Sequence, residues 1–159
     1  MIKPFLKWAG GKSRLAQFIA QALPSGKRLV EPFAGSCAIS LNIPFGQYLT
    51  CDSNNDLINL YLSLMNGKGN FIRKCITLFT IDNNTKDRYY EIRAKFNAEK
   101  NAESRSAMFV YLNRHGFKGM CRYNASGEFN IPYGKYDKVL FPGEAMKEFI
   151  EKFRGKAEF

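Results

Sequence analysis

The chain has 159 residues, enough for one ordinary domain to bury a core without disulfides or a structural metal. Its 24 Lys and Arg against 14 acids leave a formal charge of +10, and 14% of residues are aromatic, a balance suited to a polyanion whose bases can be stacked. A single histidine and four cysteines (Cys37, Cys51, Cys75, Cys121) without a C-x-x-C pair argue against a Ser-His-Asp triad, a zinc site or a disulfide framework, and no apolar run nears the ~18 residues of a membrane span.

The N-terminus carries no signal peptide, so a cytoplasmic protein with reduced thiols is expected. "FLKWAGGKS", residues 5–13, opens the chain with a glycine pair followed by lysine and serine. A phosphate loop needs another glycine five positions before Gly11, and Leu6 stands there, which removes a nucleotide triphosphatase from consideration. "SRLAQFIAQAL" then places Leu15, Phe18, Ile19 and Ala22 on one helical face before "PSG" ends it. "KRLVEPFAGSCAISLN" predicts strand, tight loop and helix. "QYLTCDSNNDLINLYLSLMNG" repeats the scheme, with a strand from Tyr48 to Cys51, Asp52 at its carboxyl end, and a helix from about Asp56 to Asn66 capped by Gly67. Two consecutive strand-helix units predict a parallel, doubly wound α/β sheet.

The middle of the chain changes character. "FIRKCITLF", "DRYYEIRAKFNAEK" and "SRSAMFVYLNRH" show helical spacing with no convincing strand between them, which predicts a helical insertion. "GFKGMCRYNASGEFNIPYGKY" follows, with Ser126-Gly127 between alternating segments as in a hairpin. "FPGEAMKEFIEKFRG" predicts a short amphipathic helix from Pro142 to Gly155. The expected organisation is 1–69, 70–137 as the insertion, and 138–159 as a return segment.

In a doubly wound sheet, ligands bind beyond the carboxyl ends of the strands, where "EPFAGSC" and "CDSNND" fall. Gly35 allows a tight turn beside a ligand, and Asp52 suits a ribose hydroxyl pair, although Asp52 equally suits the cap of the following helix. Trp8 and Lys12 on their own fit the first turn of a helix with the indole in the core.

The order "FLKWAGGKS", "LVEPFAGSC", "DSNNDLINLY", "LNRHGFKGMCRYNASGEFNIPYGKY" resembles the Dam-type (D12 class) DNA adenine-N6 methyltransferases from Phe5 to about Phe141. The resemblance implies a Rossmann-like methyltransferase sheet with an inserted helical and β-hairpin DNA-recognition domain, of the kind also used in restriction-modification. It implies S-adenosylmethionine as cofactor, with Trp8, Lys12, Phe33, Gly35 and Asp52 as its contacts. Lysine beside a mobile glycine pair suits the methionine carboxylate. The family's F-x-G-x-G loop is matched at Phe33 and Gly35 but has Cys37 for its second glycine, so a side chain is expected where the backbone approaches the ligand.

For double-stranded DNA, a planar donor fork suits guanine and an apolar contact suits the thymine methyl. The resemblance implies a hairpin reading GATC, with Arg122 on guanine, Met120 and Pro132 near thymine, and Arg114, Asn124, Asn130 and Lys135 on phosphates or neighbouring base edges. Phe117 and Lys118 replace the tyrosine and asparagine that the family often places beside the extruded adenine. Phenylalanine keeps the stacking face; lysine adds charge and removes an acceptor.

Methylating adenine N6 needs the base out of the duplex and acceptors on its amino group. The family supplies these with D-P-P-Y, and this chain has no Pro-Pro pair. "NIPF" (42–45) and "NIPY" (130–133) resemble the motif but are read as a helix-loop and as part of the hairpin. No catalytic or metal-ligating residue is therefore assigned. The chain is expected to be an N-terminal portion, inactive alone and complemented by a C-terminal segment; the alternative is a DNA-binding remnant at GATC-like sites that performs no chemistry.

Overall fold

A computed structural model describes residues Met1–Phe159. After a 3-10 turn at Ser13–Leu15 come α1 (Ala16–Ala22), β1 (Arg28–Glu31), α2 (Ala38–Asn42), β2 (Gln47–Thr50) and α3 (Asn55–Ile76). Then follow α4 (Lys86–Ala98), α5 (Ala102–His115), a second 3-10 turn at Phe117–Gly119, α6 (Gly143–Phe153) and β3 (Ala157–Glu158). The fold is mixed α/β, with six helices and a parallel sheet in the order β1-β2-β3. No helix is long and apolar enough to cross a membrane.

The strand-helix alternation appears as expected, with three differences. The sheet has a third strand, because Tyr48 and Leu49 pair with Ala157 and Glu158 from the far end of the chain. α1 does not bury the face that its spacing suggests: Phe18 is 69% exposed and Leu15 50%, and the buried residue is Ala16. Apolar periodicity identifies a stripe; which neighbours cover it is decided elsewhere in the fold. The predicted hairpin is present but is held by isolated bridges, Tyr123 with Phe129 and Gly116 with Tyr133, without regular strands.

α3 is capped by Asn54, whose side chain accepts from the backbone N–H of Asp56 and Leu57, and it breaks at Lys68 (φ 45°) between Gly67 and Gly69. The predicted stop at Gly67 thus marks a kink, beyond which a second helical stretch runs on to Ile76. Thr85 caps α4 and Asn101 caps α5 in the same way.

Aromatic packing joins the parts. Tyr61 of α3 stacks on Phe149 of α6 at 5.0 Å, and Phe5 meets the edge of the same ring system at 5.3 Å. Phe5 and Leu6 thereby anchor the N-terminal arm in the core. In the insertion, Phe96, Phe109 and Phe129 cluster at 5.7 to 6.3 Å, and the buried Tyr89 and Tyr111 hydroxyls donate to the carbonyls of Ile131 and Asn83. These bonds remove the cost of burying the phenols.

Candidate functional site

β1 and β2 lie side by side, so the loops leaving their carboxyl ends emerge together. The Ala34 N–H donates to Cys51 O at 2.8 Å, and the Cys51 N–H donates to Glu31 O at 2.9 Å. Gly35 turns the first loop at φ 48°, and its N–H donates to Asp52 Oδ2 at 2.9 Å. The Asn54 N–H donates to Asp52 Oδ1 at 3.0 Å. Asp52 is therefore held across both loops, and the helix cap is Asn54, which removes the alternative that Asp52 caps the helix. Each carboxylate oxygen keeps a lone pair for a further donor.

The N-terminal arm closes the other side. The Trp8 indole lies so close to Gly35 that a Cβ there would meet Nε1 at 2.7 Å, so the arm and the turn fit only with glycine. Gly10 sits at φ 72°, and the Gly11 N–H donates back to Trp8 O. Trp8, Lys12, Phe33, Gly35 and Asp52 line one cleft of about 350 Å³. Phe33 is 89% exposed at its margin. Cys37 is not among the lining residues: at φ 56° its side chain turns fully into the core, where burial pushes the thiol well above its ordinary pKa. The substitution at the second glycine position thus costs backbone strain and leaves the cleft clear.

Glu31, which sequence reasoning did not single out, also lines the cleft. Its Oε2 accepts from the Ser40 hydroxyl at 2.5 Å and from the Ser40 N–H, and burial raises its carboxyl pKa. Its place at the end of β1 inside "EPFAG" is the signal by which the sequence could have revealed it.

The nine residues expected to face DNA lie between the end of α5 and the end of the hairpin. Phe117, Lys118, Met120, Arg122, Asn124, Pro132 and Lys135 are exposed, and Arg114 and Asn130 are half-buried. Arg122 donates from Nε to Asn130 Oδ1 at 2.8 Å, which aims the guanidinium and leaves its terminal nitrogens outside that bond. Asn124 is occupied with the turn: Oδ1 accepts from the N–H of Ser126 and Glu128, and Nδ2 donates to Glu128. Arg114 packs inward, with burial lowering its pKa and Nε lacking a partner. Lys118 and Lys135 hold φ of 52° and 55°, conformations that lysine seldom adopts.

The two groups of residues are physically joined. Asn54 Nδ2 donates to Cys121 Sγ at 3.2 Å, and Asp56 takes the Arg105 guanidinium through two bonds while accepting from the Tyr123 hydroxyl at 2.6 Å. Neither "NIPF" nor "NIPY" lines the cleft. Asn42 holds the Ile2 backbone, and Tyr133 donates to Asn84 O. No group of three His, Cys, Asp or Glu side chains is arranged to hold a metal.

Comparison with known proteins identifies the family. The DNA adenine methylase of Serratia marcescens is 44% identical over 152 residues, covering 96% of this chain and 56% of that protein. That of Escherichia coli K12 is 42% identical over 150 residues, and the retron Ec67 DNA adenine methylase is 46% identical over 149, covering 94% and 92% of this chain and 54% and 52% of theirs. The chain spans about half the length of the curated relatives it matches. Residues 8–159 match the D12 class N6 adenine-specific DNA methyltransferases, and the chain belongs to that family.

Proposed function

We propose that this chain forms the cofactor-holding and DNA-reading part of a site-specific adenine-N6 methyltransferase that uses S-adenosylmethionine and recognises GATC. The carrying observation is that Trp8, Lys12, Phe33, Gly35 and Asp52, far apart in sequence, line one cleft. The donor set suits the cofactor. Lys12 offers an exposed cation for the carboxylate, Asp52 keeps lone pairs for ribose hydroxyls, and Trp8 with Phe33 supplies apolar walls. When bound, the cofactor provides an electrophilic methyl group on a sulfonium.

In this reading residues 1–69 and 138–159 belong to a doubly wound methyltransferase domain and 70–137 to target recognition. Arg122 presents its fork to guanine, Met120 and Pro132 meet thymine, and Lys135 holds phosphate. Phe117 offers its ring to the gap left by the extruded adenine. Acceptors for the N6 amino group come from a further segment bearing D-P-P-Y, so the chain alone binds without methylating. Absence of chemistry even when that segment is added favours the reading of a DNA-binding protein at GATC-like sites.

Calorimetry with S-adenosylhomocysteine tests the carrying observation. Asp52→Ala is expected to weaken binding by roughly 10-fold or more, the value of a charge-assisted hydrogen bond. Unchanged affinity removes Asp52 from the site. Incubation with labelled cofactor and GATC duplex is expected to yield no N6-methyladenine from the chain alone.

A further inference from the structure

One buried amide sits where the cleft and the DNA-facing turn meet. Asn113 of α5 is 1% exposed, and its side chain makes three hydrogen bonds. Oδ1 accepts from the Lys7 N–H at 2.9 Å, Nδ2 donates to Lys7 O at 2.7 Å, and Nδ2 also donates to Gly119 O at 3.1 Å. The first two reproduce the reciprocal pairing of a strand partner on the residue before Trp8. The third reaches the turn that carries Phe117 and Lys118.

The contact closes into a ring. Lys7 Nζ lies 4.0 Å over the Tyr136 ring and donates to Arg114 O at 3.3 Å. The Tyr136 hydroxyl in turn accepts from the Lys118 N–H at 3.0 Å. Gly119, at φ 63°, leaves the space that Lys7 fills, since a Cβ there would stand 2.2 Å from Lys7 Cβ. The arm bearing Trp8 is therefore seated directly on the turn that faces DNA, with no mobile linker between them.

We propose that Asn113 is a positioning residue: it sets the Trp8 arm over the cleft in register with the 117–119 turn, so that cofactor and duplex DNA each raise the other's affinity. This rests on the proposed function, since it needs both ligands. A turn shifted by DNA moves Gly119 O and, through one amide, Lys7 and Trp8. By linkage, a cofactor that fixes Trp8 fixes the turn by the same factor. A side chain that merely satisfied a buried polar site would support stability without linking the ligands.

Trp8 is the single tryptophan of the chain, so its emission reports on the arm. The experiment titrates S-adenosylhomocysteine into the protein with and without saturating GATC duplex. Wild type is expected to show at least about 5-fold tighter cofactor binding with DNA present, the lower end of usual couplings. Asn113→Ala is expected to bring that ratio to near one, with duplex affinity in the absence of cofactor held within 2-fold and Trp8 emission shifted to the red. Asn113→Ser keeps a buried polar group but is too short to bridge Lys7 and Gly119, and is expected to lower the ratio as well; it decides the question if Asn113→Ala does not fold. Coupling undiminished in the variant that folds overturns the proposal. Independent binding of the two ligands to wild type overturns it while leaving the functional reading intact, and failure of wild type to bind either ligand overturns both.

Discussion

The insertion and the sheet region solve the same burial problem by different means. Between α4 and the hairpin, Tyr89, Phe96, Phe109, Tyr111 and Phe129 are all sealed, and their polar atoms are matched. The sheet region buries Tyr48, Tyr61 and Phe149 as fully, and each region leaves apolar residues exposed, Phe18 and Val30 in one and Ile76 and Ile81 in the other; what differs is that β1 has a neighbour on one edge only. α5 packs along α3, which starts directly after β2, whereas three short parallel strands leave β1 with an open edge. The lesson is that the insertion closes around a local aromatic cluster, while the sheet is completed by pairing across the chain.

The contrast is broken most directly by core truncation. Phe109→Ala is expected to cost about 3–5 kcal/mol, as a buried ring leaving a cavity does, while Phe18→Ala stays within about 0.5 kcal/mol. Urea unfolding of both variants checks it, and equal losses would erase the distinction.

Acid should act on the insertion next. Burial pushes His115 down to about 4, and the ring stacks on Tyr111 at 3.9 Å with Nδ1 against the Tyr111 carbonyl. A base depressed in the folded state takes up its proton on unfolding. The stability it contributes is therefore complete above about pH 6.5 and lost as pH falls toward 4, by roughly 2–3 kcal/mol. Melts from pH 7 to 4 are expected to slope accordingly in wild type and to flatten in His115→Gln; equal slopes acquit the histidine.

On the hairpin surface proposed to meet DNA, Arg122→Ala is expected to reduce discrimination for GATC over a scrambled duplex by about 1–3 kcal/mol, whereas Lys135→Ala weakens both duplexes alike. Fluorescence titration at several salt concentrations separates the two, and matching losses of specificity would merge roles kept distinct here. The smallest effect is conformational. Lys118→Asn places a residue tolerant of positive φ at 52° and is expected to gain up to about 1 kcal/mol in thermal unfolding. No gain means the turn relaxes around lysine without cost.

Much of this is legible in the sequence itself. Strand-helix alternation located β1, β2 and their loops, and the spacing of Gly35 and Asp52 marked the cleft, because local periodicity and turn chemistry are written in neighbouring residues. β3 was invisible because two residues acquire strand geometry only by pairing with β2 from across the chain. The inward turn of Cys37 and the exposure of Phe18 were hidden for a related reason: each depends on which distant groups arrive to cover it. Asn113 looks in sequence like any polar residue of a helix, and only Lys7 and Gly119 reveal its use.

The pairing of β2 with β3 also sets a timetable for synthesis. Tyr48 leaves the ribosome long before Ala157, and roughly a hundred intervening residues take about 5–20 s at ordinary elongation rates. During that interval the helices of the insertion form from local contacts, while β2 waits with an open edge. Nascent chains therefore pass through a stage in which the helical insertion is shaped and the sheet is still adhesive, the stage at which a chaperone or a stray strand would compete for β2.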